Sequence, residues 1–222
     1  MNKCQNTVLF IGKQDDWHVN RALQFCLDNF TSVTHSLGQW GEPFPDHLYT
    51  GQWDYIISYL SRWIVPQSLL LNTRIAAINF HPGSPDYPGV GCINFALYEE
   101  AREFGATCHH MNRKVDTGTI IAVKRFPILA TDTVASLIAR THDHQLALFY
   151  DVITLIASEA PLPVCAENWT RQPFTRKELN ELSTISPKMT HVEIQKRIRA
   201  TYYGDWKPSM QIAGFLFELK TD

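Results

Sequence analysis

Three short runs rich in branched and aromatic side chains, TVLFIG (7–12), DYIISYL (54–60) and RIAAINF (74–80), alternate with helix-like segments in the first part of the chain. Continuous apolar runs of this length suit strands buried on both faces, which is how parallel strands covered by helices read. Segment 17–29, with apolar Val19, Leu23, Phe25, Cys26 and Leu27, reads as an acceptable helix, 30–35 as a second strand, and Pro66 opens a short helix. The alternation predicts an α/β sheet that is parallel at its start. Farther on, 92–104 reads as a helix stopped by Gly105, 106–112 and 119–128 as strands, and 132–158 as a long helix capped by Asp132. The two strands are too close for a crossover helix, so this pair is expected to be antiparallel.

The run at 74–80 leads into INFHPGSPDYPGVG, where Pro82, Gly83, Pro85, Pro88 and Gly89 bend the backbone directly after Asn79 and His81. Two residues apart on an extended segment, Asn79 and His81 share a side. A carboxamide donor and an imidazole on one side of a strand end can stabilise a developing oxyanion. Downstream, KVDTGTII places Asp116 in an Asp-Thr-Gly turn. Together the three side chains suit acyl transfer without a serine or cysteine nucleophile. Read singly, His81 also suits a strand-end turn, and Asp116 an ordinary Asx-turn.

Composition narrows the alternatives. A formal net charge of −2 argues against a dedicated nucleic-acid binder, which would show a basic stripe. Lys196, Arg197 and Arg199 form one tight basic cluster, readable as a solvated helix face or a substrate-phosphate contact. The five cysteines are scattered, without a C-x-x-C pair, as in a reducing compartment. The N-terminal apolar run is too short for a signal peptide, and no window approaches the roughly 20 apolar residues of a membrane span. A cytoplasmic location away from membranes is expected. PGVG at 88–91 could cradle phosphate, but neither G-x-G-x-x-G nor a P-loop is present, and HPGSP is not a G-x-S-x-G elbow. Cys108, His109 and His110 sit on one strand, where adjacent side chains face opposite ways, so no metal site is expected.

The last part differs in texture. After an irregular stretch at 161–173 come short helices at 175–182 and from Thr190 to about Arg199, then the aromatic loop TYYGDWKPS. Residues 211–220 alternate, with Ala213, Phe215, Phe217 and Leu219 on one side, and read as a closing strand. The expected division is a catalytic domain at 1–182 and a small C-terminal subdomain at 183–222.

NFHPGSPDYPGVG followed by VDTGTIIAVKRFPI resembles the 10-formyltetrahydrofolate-dependent formyltransferases. That family has an asparagine, a histidine two residues later followed by proline, and an aspartate in a downstream D-x-G turn; here these are Asn79, His81 with Pro82, and Asp116 with Gly118. ISYLSRWIVPQSLL is similar to the family strand that ends in an I-V-P step. HPGSPDYPGVGCINFALYE and TYYGDWKPS look most like the branch that formylates amino sugars carried on a nucleotide. The family often has Ser and Leu after the His-Pro step, where this chain has Gly83 and Ser84.

The resemblance implies a Rossmann-like formyltransferase fold, with a mostly parallel central sheet and a C-terminal subdomain ending in a strand or hairpin. It implies Asn79, His81 and Asp116 as the catalytic trio, with 10-formyltetrahydrofolate as co-substrate and no metal. The co-substrate would lie against Arg62, Trp63, Ile64, Val65, Asn112, Val115 and Asp116. The acceptor would be a dTDP-linked amino-dideoxyhexose, most like 4-amino-4,6-dideoxyglucose, used for O-antigen or other surface glycans. Its expected contacts are Lys13, Trp17, Ser84, Pro85, Tyr87, Gly91, Tyr202, Tyr203, Trp206 and Lys207. Trp63 equally suits core packing, and so does each aromatic of the tail. A glycinamide-ribonucleotide formyltransferase, a formyltetrahydrofolate hydrolase and a non-catalytic sugar-nucleotide binder are the alternatives. The closing strand could pair with a second copy, which points to a homodimer.

Overall fold

The computed structural model describes residues 3–220. Its centre is a six-stranded sheet built from β1 (Cys4–Lys13), β2 (Phe30–Gly38), β3 (Tyr55–Tyr59), β4 (Ala76–His81), β5 (Glu103–His110) and β6 (Ile120–Pro127). The strand order is β2-β1-β3-β4-β5-β6. The first four strands are parallel to one another, and β5 is antiparallel to both β4 and β6. Helices α1 (Trp17–Asn29), α2 (Gln67–Asn72), α3 (Cys92–Tyr98), α4 (Val134–Ala157), α5 (Arg176–Leu182) and α6 (His191–Thr201) surround it. A separate two-stranded hairpin, β7 (Ser209–Ile212) and β8 (Phe215–Glu218), follows α6.

The strand alternation sorts the apolar residues into two layers. From β1, Val8 and Phe10 join Val19 and Cys26 of α1 and Phe149 and Ile153 of α4 on one face. Leu9 and Ile11 point the other way, packing with Leu48, Trp53, Ile56, Val65 and Leu69. Both sets are shielded from solvent, which is why the strands read as unbroken apolar runs. A third cluster, with Tyr87, Phe95, Phe104, Phe126, Leu137 and Leu179, joins α3, α5 and the start of α4 to the antiparallel side of the sheet.

Three expectations need correction. The helix expected over 92–104 ends at Tyr98: Glu100 takes a left-handed φ of 55° and the chain turns into β5. Gly105 is therefore a mid-strand glycine, where a Cβ would come within 2.8 Å of the Lys124 carbonyl. The long helix is capped by Thr133 in a reciprocal box with Ser136. Asp132 supports that turn from outside, accepting from the Leu129 amide, the Ser136 hydroxyl and Arg140. The closing strand is a hairpin, because Ala213 and Gly214 both adopt positive φ (49° and 84°), the backbone of a two-residue type I′ turn. Among the described residues no helix is long and apolar enough to cross a membrane.

Candidate active site

The pleat of β4 sets Asn79 and His81 on one side at its C-terminal end. Two contacts fix that end. Gln145 of α4, fully buried, donates to the Phe80 carbonyl at 2.7 Å, and Thr107 of β5 donates to the Gly83 carbonyl at 2.7 Å. The following bend closes over the imidazole: a Cβ on Gly83 would stand 2.4 Å from His81 Nε2.

Asp116 arrives from the β5–β6 connection, in a left-handed conformation with φ 48°. Its loop is shaped by Asn112, whose side-chain oxygen accepts from the Lys114 amide and the Thr117 hydroxyl. Gly118 lies so near β5 that a Cβ would fall 1.7 Å from the His110 carbonyl oxygen. Asp116 Oδ2 lies 3.2 Å from His81 Nδ1 and accepts the Gly89 amide at 2.9 Å. Burial pushes its pKa up, but His81, His109 and the Gly89 amide outweigh it and bring it down to about 2.

His109 completes the group, and sequence reasoning missed it. It sits directly opposite Asn79 in the β4–β5 register. Its Nε2 is 3.2 Å from Asn79 Nδ2 and 3.3 Å from Asp116 Oδ1. Each imidazole thus turns one nitrogen to the carboxylate and the other to a main-chain carbonyl: His81 Nε2 to Tyr87 at 3.0 Å, His109 Nδ1 to His110 at 2.9 Å. Trp169 was also missed. It donates to the Gly118 carbonyl at 2.7 Å and sets its ring edgewise to His81 and His109. The signal for His109 is its pairing with Asn79, which requires the strand register; Trp169 lies in an irregular segment with no periodicity to read.

Asn79, His81, His109 and Asp116 form one wall of a cavity of about 290 Å³. Its other walls include Arg62, Trp63, Ile64, Val65, Asn112 and Val115, so the residues expected around the co-substrate surround a single space. The backbone groups of Arg62, Ile64 and Val65 take no partner among the described residues, while the side chains of Val65, Leu70 and Met111 supply apolar surface. A flat heterocycle with an amide-like edge fits such a donor and acceptor set.

The expected acceptor contacts are scattered. Gly91, Tyr203 and Trp206 line a second cavity of about 330 Å³. Ser84 is fully buried and bonds Asp86, and Pro85 is also buried. Tyr87 is core, with its hydroxyl on Glu99 and its carbonyl serving His81. Lys13 pairs with Asp16, and Trp17 is exposed beneath Arg21; neither lines either cavity. Tyr202 and Lys207 lie outside both cavity walls as well.

The curated GDP-perosamine N-formyltransferase of Brucella melitensis is 26% identical over 158 residues, 71% of this chain and 60% of that enzyme. The chain thus spans about three-fifths of that relative's length. A sugar N-formyltransferase from a Shewanella species superposes with a TM-score of 0.77 at 20% identity, covering 97% of each chain. The Helicobacter canadensis N-formyltransferase, solved with folinic acid and dTDP-3-aminofucose, gives a TM-score of 0.73 at 21% identity, covering 95% of this chain and 85% of that one. At these identities the two structures speak to the fold. The sequence pattern described as formyl transferase matches residues 36–153, just over half of the chain and the part that carries Asn79, His81, His109 and Asp116, and by that match the protein belongs to the formyl transferase family.

Proposed function

We propose that the protein transfers a formyl group from 10-formyltetrahydrofolate to the amino group of a nucleotide-linked amino-dideoxyhexose. The observation that carries this reading is the convergence of Asn79, His81 and Asp116 on one wall of a cavity otherwise bounded by residues 60–65 and 111–115. The named activity of the Brucella relative and the ligands of the Helicobacter structure support the acceptor class. Within that class, a dTDP-linked 4-amino-4,6-dideoxyglucose destined for a surface glycan is the acceptor we favour. Its enzyme would work in the cytoplasm, where the folate and the nucleotide sugar are made available.

When bound, the folate supplies a formyl group already activated on nitrogen. Asn79 donates a side-chain N–H to the formyl oxygen as charge develops there; one such donor is worth about 10²–10³ in rate. His81, oriented by Asp116 and the Tyr87 carbonyl, carries the proton that the leaving nitrogen needs. Asp116, ionised at neutral pH, relays the proton released by the attacking amine toward His81, 3.2 Å away, which returns it to the leaving nitrogen. Its hold on the Gly89 amide ties its position to the bend that encloses His81.

The exposed hairpin supports a partner. Phe215, Leu216 and Phe217 are 70%, 66% and 52% exposed, and an isolated two-stranded hairpin is marginal in water. A second copy of the chain, packed hairpin to hairpin, would cover them.

The test is incubation with 10-formyltetrahydrofolate and a panel of dTDP-, UDP- and GDP-linked amino sugars, read by mass spectrometry. One added formyl group on a panel member is expected, with turnover lowered by orders of magnitude in Asp116→Asn and His81→Ala. Formate release with no acceptor modified would replace transfer by hydrolysis, and near wild-type turnover in either variant would remove the assigned roles.

A further inference from the structure

Residues 169–174 lie beyond the matched pattern at 36–153 and belong to no helix or sheet, yet they touch both loops of the site. On one side they pair with the bend after β4. The Thr170 amide donates to the Pro85 carbonyl at 3.2 Å and the Phe174 amide to the Pro88 carbonyl at 2.9 Å, while the Val90 amide donates to the Phe174 carbonyl at 2.9 Å. Gly89, whose amide Asp116 holds, lies so close to this pairing that a Cβ would stand 2.4 Å from the Phe174 carbonyl oxygen. On the other side Trp169 Nε1 donates to the Gly118 carbonyl at 2.7 Å, at the end of the turn that carries Asp116. The segment is itself anchored. Arg171 donates twice to Glu99, at 2.7 and 3.0 Å, and lies over the Tyr87 and Phe174 rings. Phe174 in turn stacks on Phe95 with 3.7 Å between centroids.

The Trp169 ring stands across both imidazoles, 5.9 Å and 70° from His81 and 5.1 Å and 86° from His109. These are edge-to-face pairs at the usual spacing. Contacts at the two nitrogens of an imidazole lie in its plane and leave it free to tilt about the line between them. Tilting misaligns both hydrogen bonds at once. A ring packed across the imidazole removes that freedom, and here one indole does so for two. Trp169 lines neither cavity, so it acts on the imidazoles rather than on a ligand. An indole that only filled space would need no bond to Gly118.

We propose that residues 169–174 are a strap that holds the bend at 82–91 and the Asp116 turn in register, with Trp169 as the positioning residue that fixes His81 and His109 against the carboxylate. The expected effect on turnover rests on the transferase reading; the geometry of the rings does not. The strap couples the two loops without entering the space where substrates react.

The experiment compares Trp169→Phe, which keeps a flat ring and loses the bond to Gly118, with Trp169→Leu, which loses both. Turnover is expected to fall about tenfold in Trp169→Phe, the scale of one hydrogen bond, and about 10²-fold in Trp169→Leu, the scale of a misplaced reacting group. The KM values for formyl donor and acceptor should stay within about twofold of wild type, because no substrate contact is removed. A second readout needs no turnover. In the ¹⁵N-labelled full chain the ring N–H signals of His81 and His109 should be sharp in the wild type, broadened in Trp169→Phe and absent in Trp169→Leu. Wild-type kcat in Trp169→Phe overturns the proposal even if Trp169→Leu does not fold. So does a KM that rises as steeply as kcat falls, or ring signals that are missing from the wild type or equally sharp in Trp169→Phe. A wild-type chain that formylates no amino sugar but shows the expected ring signals would sink the transferase reading alone. Formyl transfer with ring signals and kcat unchanged in Trp169→Phe would sink the strap alone.

Discussion

His109 Nε2 lies 3.3 Å from Asp116 Oδ1, so the carboxylate expected to act with one imidazole is held between two. His109→Phe keeps a ring of similar size but removes both nitrogens. It frees the Asn79 amide on one side and leaves Asp116 with a single imidazole. The expected result is a fall in kcat of about 10², the scale of misplacing a reacting group, with the KM for the formyl donor little changed. A kcat near wild type in steady-state assays would show that the ring only fills space.

Gly118→Ala should damage the site through the backbone. The new Cβ would fall 1.7 Å from the His110 carbonyl, so the turn carrying Asp116 must move. A stability loss of about 1–3 kcal/mol is expected from such overpacking, along with a large loss of turnover. Gly41→Ala is the contrast: φ is 85° there, but nothing lies within 4 Å, so the cost is backbone strain of about 1 kcal/mol with activity kept. Chemical denaturation and initial rates on both variants make the comparison.

The first strands, α1 and the shared side of Asn79 and His81 at a strand end are legible because each rests on local pattern. Val8 to Ile11 are apolar on both faces, Trp17 to Asn29 has a clean helical stripe, and Asn79 and His81 are bound by the two-residue period of a strand. What failed depends on tertiary partners. Phe104 looks like the end of a helical stripe until β5 pairs with β6 and buries it. Ala213-Gly214 lacks an Asn-Gly or Asp-Gly signal, so the last hairpin reads as one strand. Lys13 ends β1 and Trp17 follows it, where α/β sheets gather ligands. The cavities lie elsewhere, one against β3, β4 and the β5–β6 loop and the other among α3, α5 and the tail.

Acid should destabilise the protein through His142. Burial, helped by His18, lowers its pKa from 6.5 to about 4, while Asp16 and Asp143 pull the other way. The folded value lies below the unfolded one, so the unfolded chain binds the proton first. The stabilisation is complete above pH 6.5 and is lost as pH falls from 6.5 toward 4. Its size is on the order of 2–3 kcal/mol. Urea midpoints at pH 7 and pH 5 should drop more for the wild type than for His142→Gln; equal drops would acquit this residue.

Charges placed on the hairpin should separate a dimer. Phe215→Asp combined with Phe217→Asp removes two exposed rings, 70% and 52% accessible, and sets like charges against each other across a two-fold contact. Light scattering is expected to give twice the chain mass for the wild type and a single chain mass for the double variant. One mass for both proteins would discard the hairpin as a contact.

Arg62 stands in the walls of both cavities, so a ligand that moves it from one side reshapes the wall of the other. Any coupling it carries between the two spaces runs both ways. Whatever factor a ligand in the first imposes on affinity in the second, the reverse order of addition must return the same factor, because linkage is reciprocal.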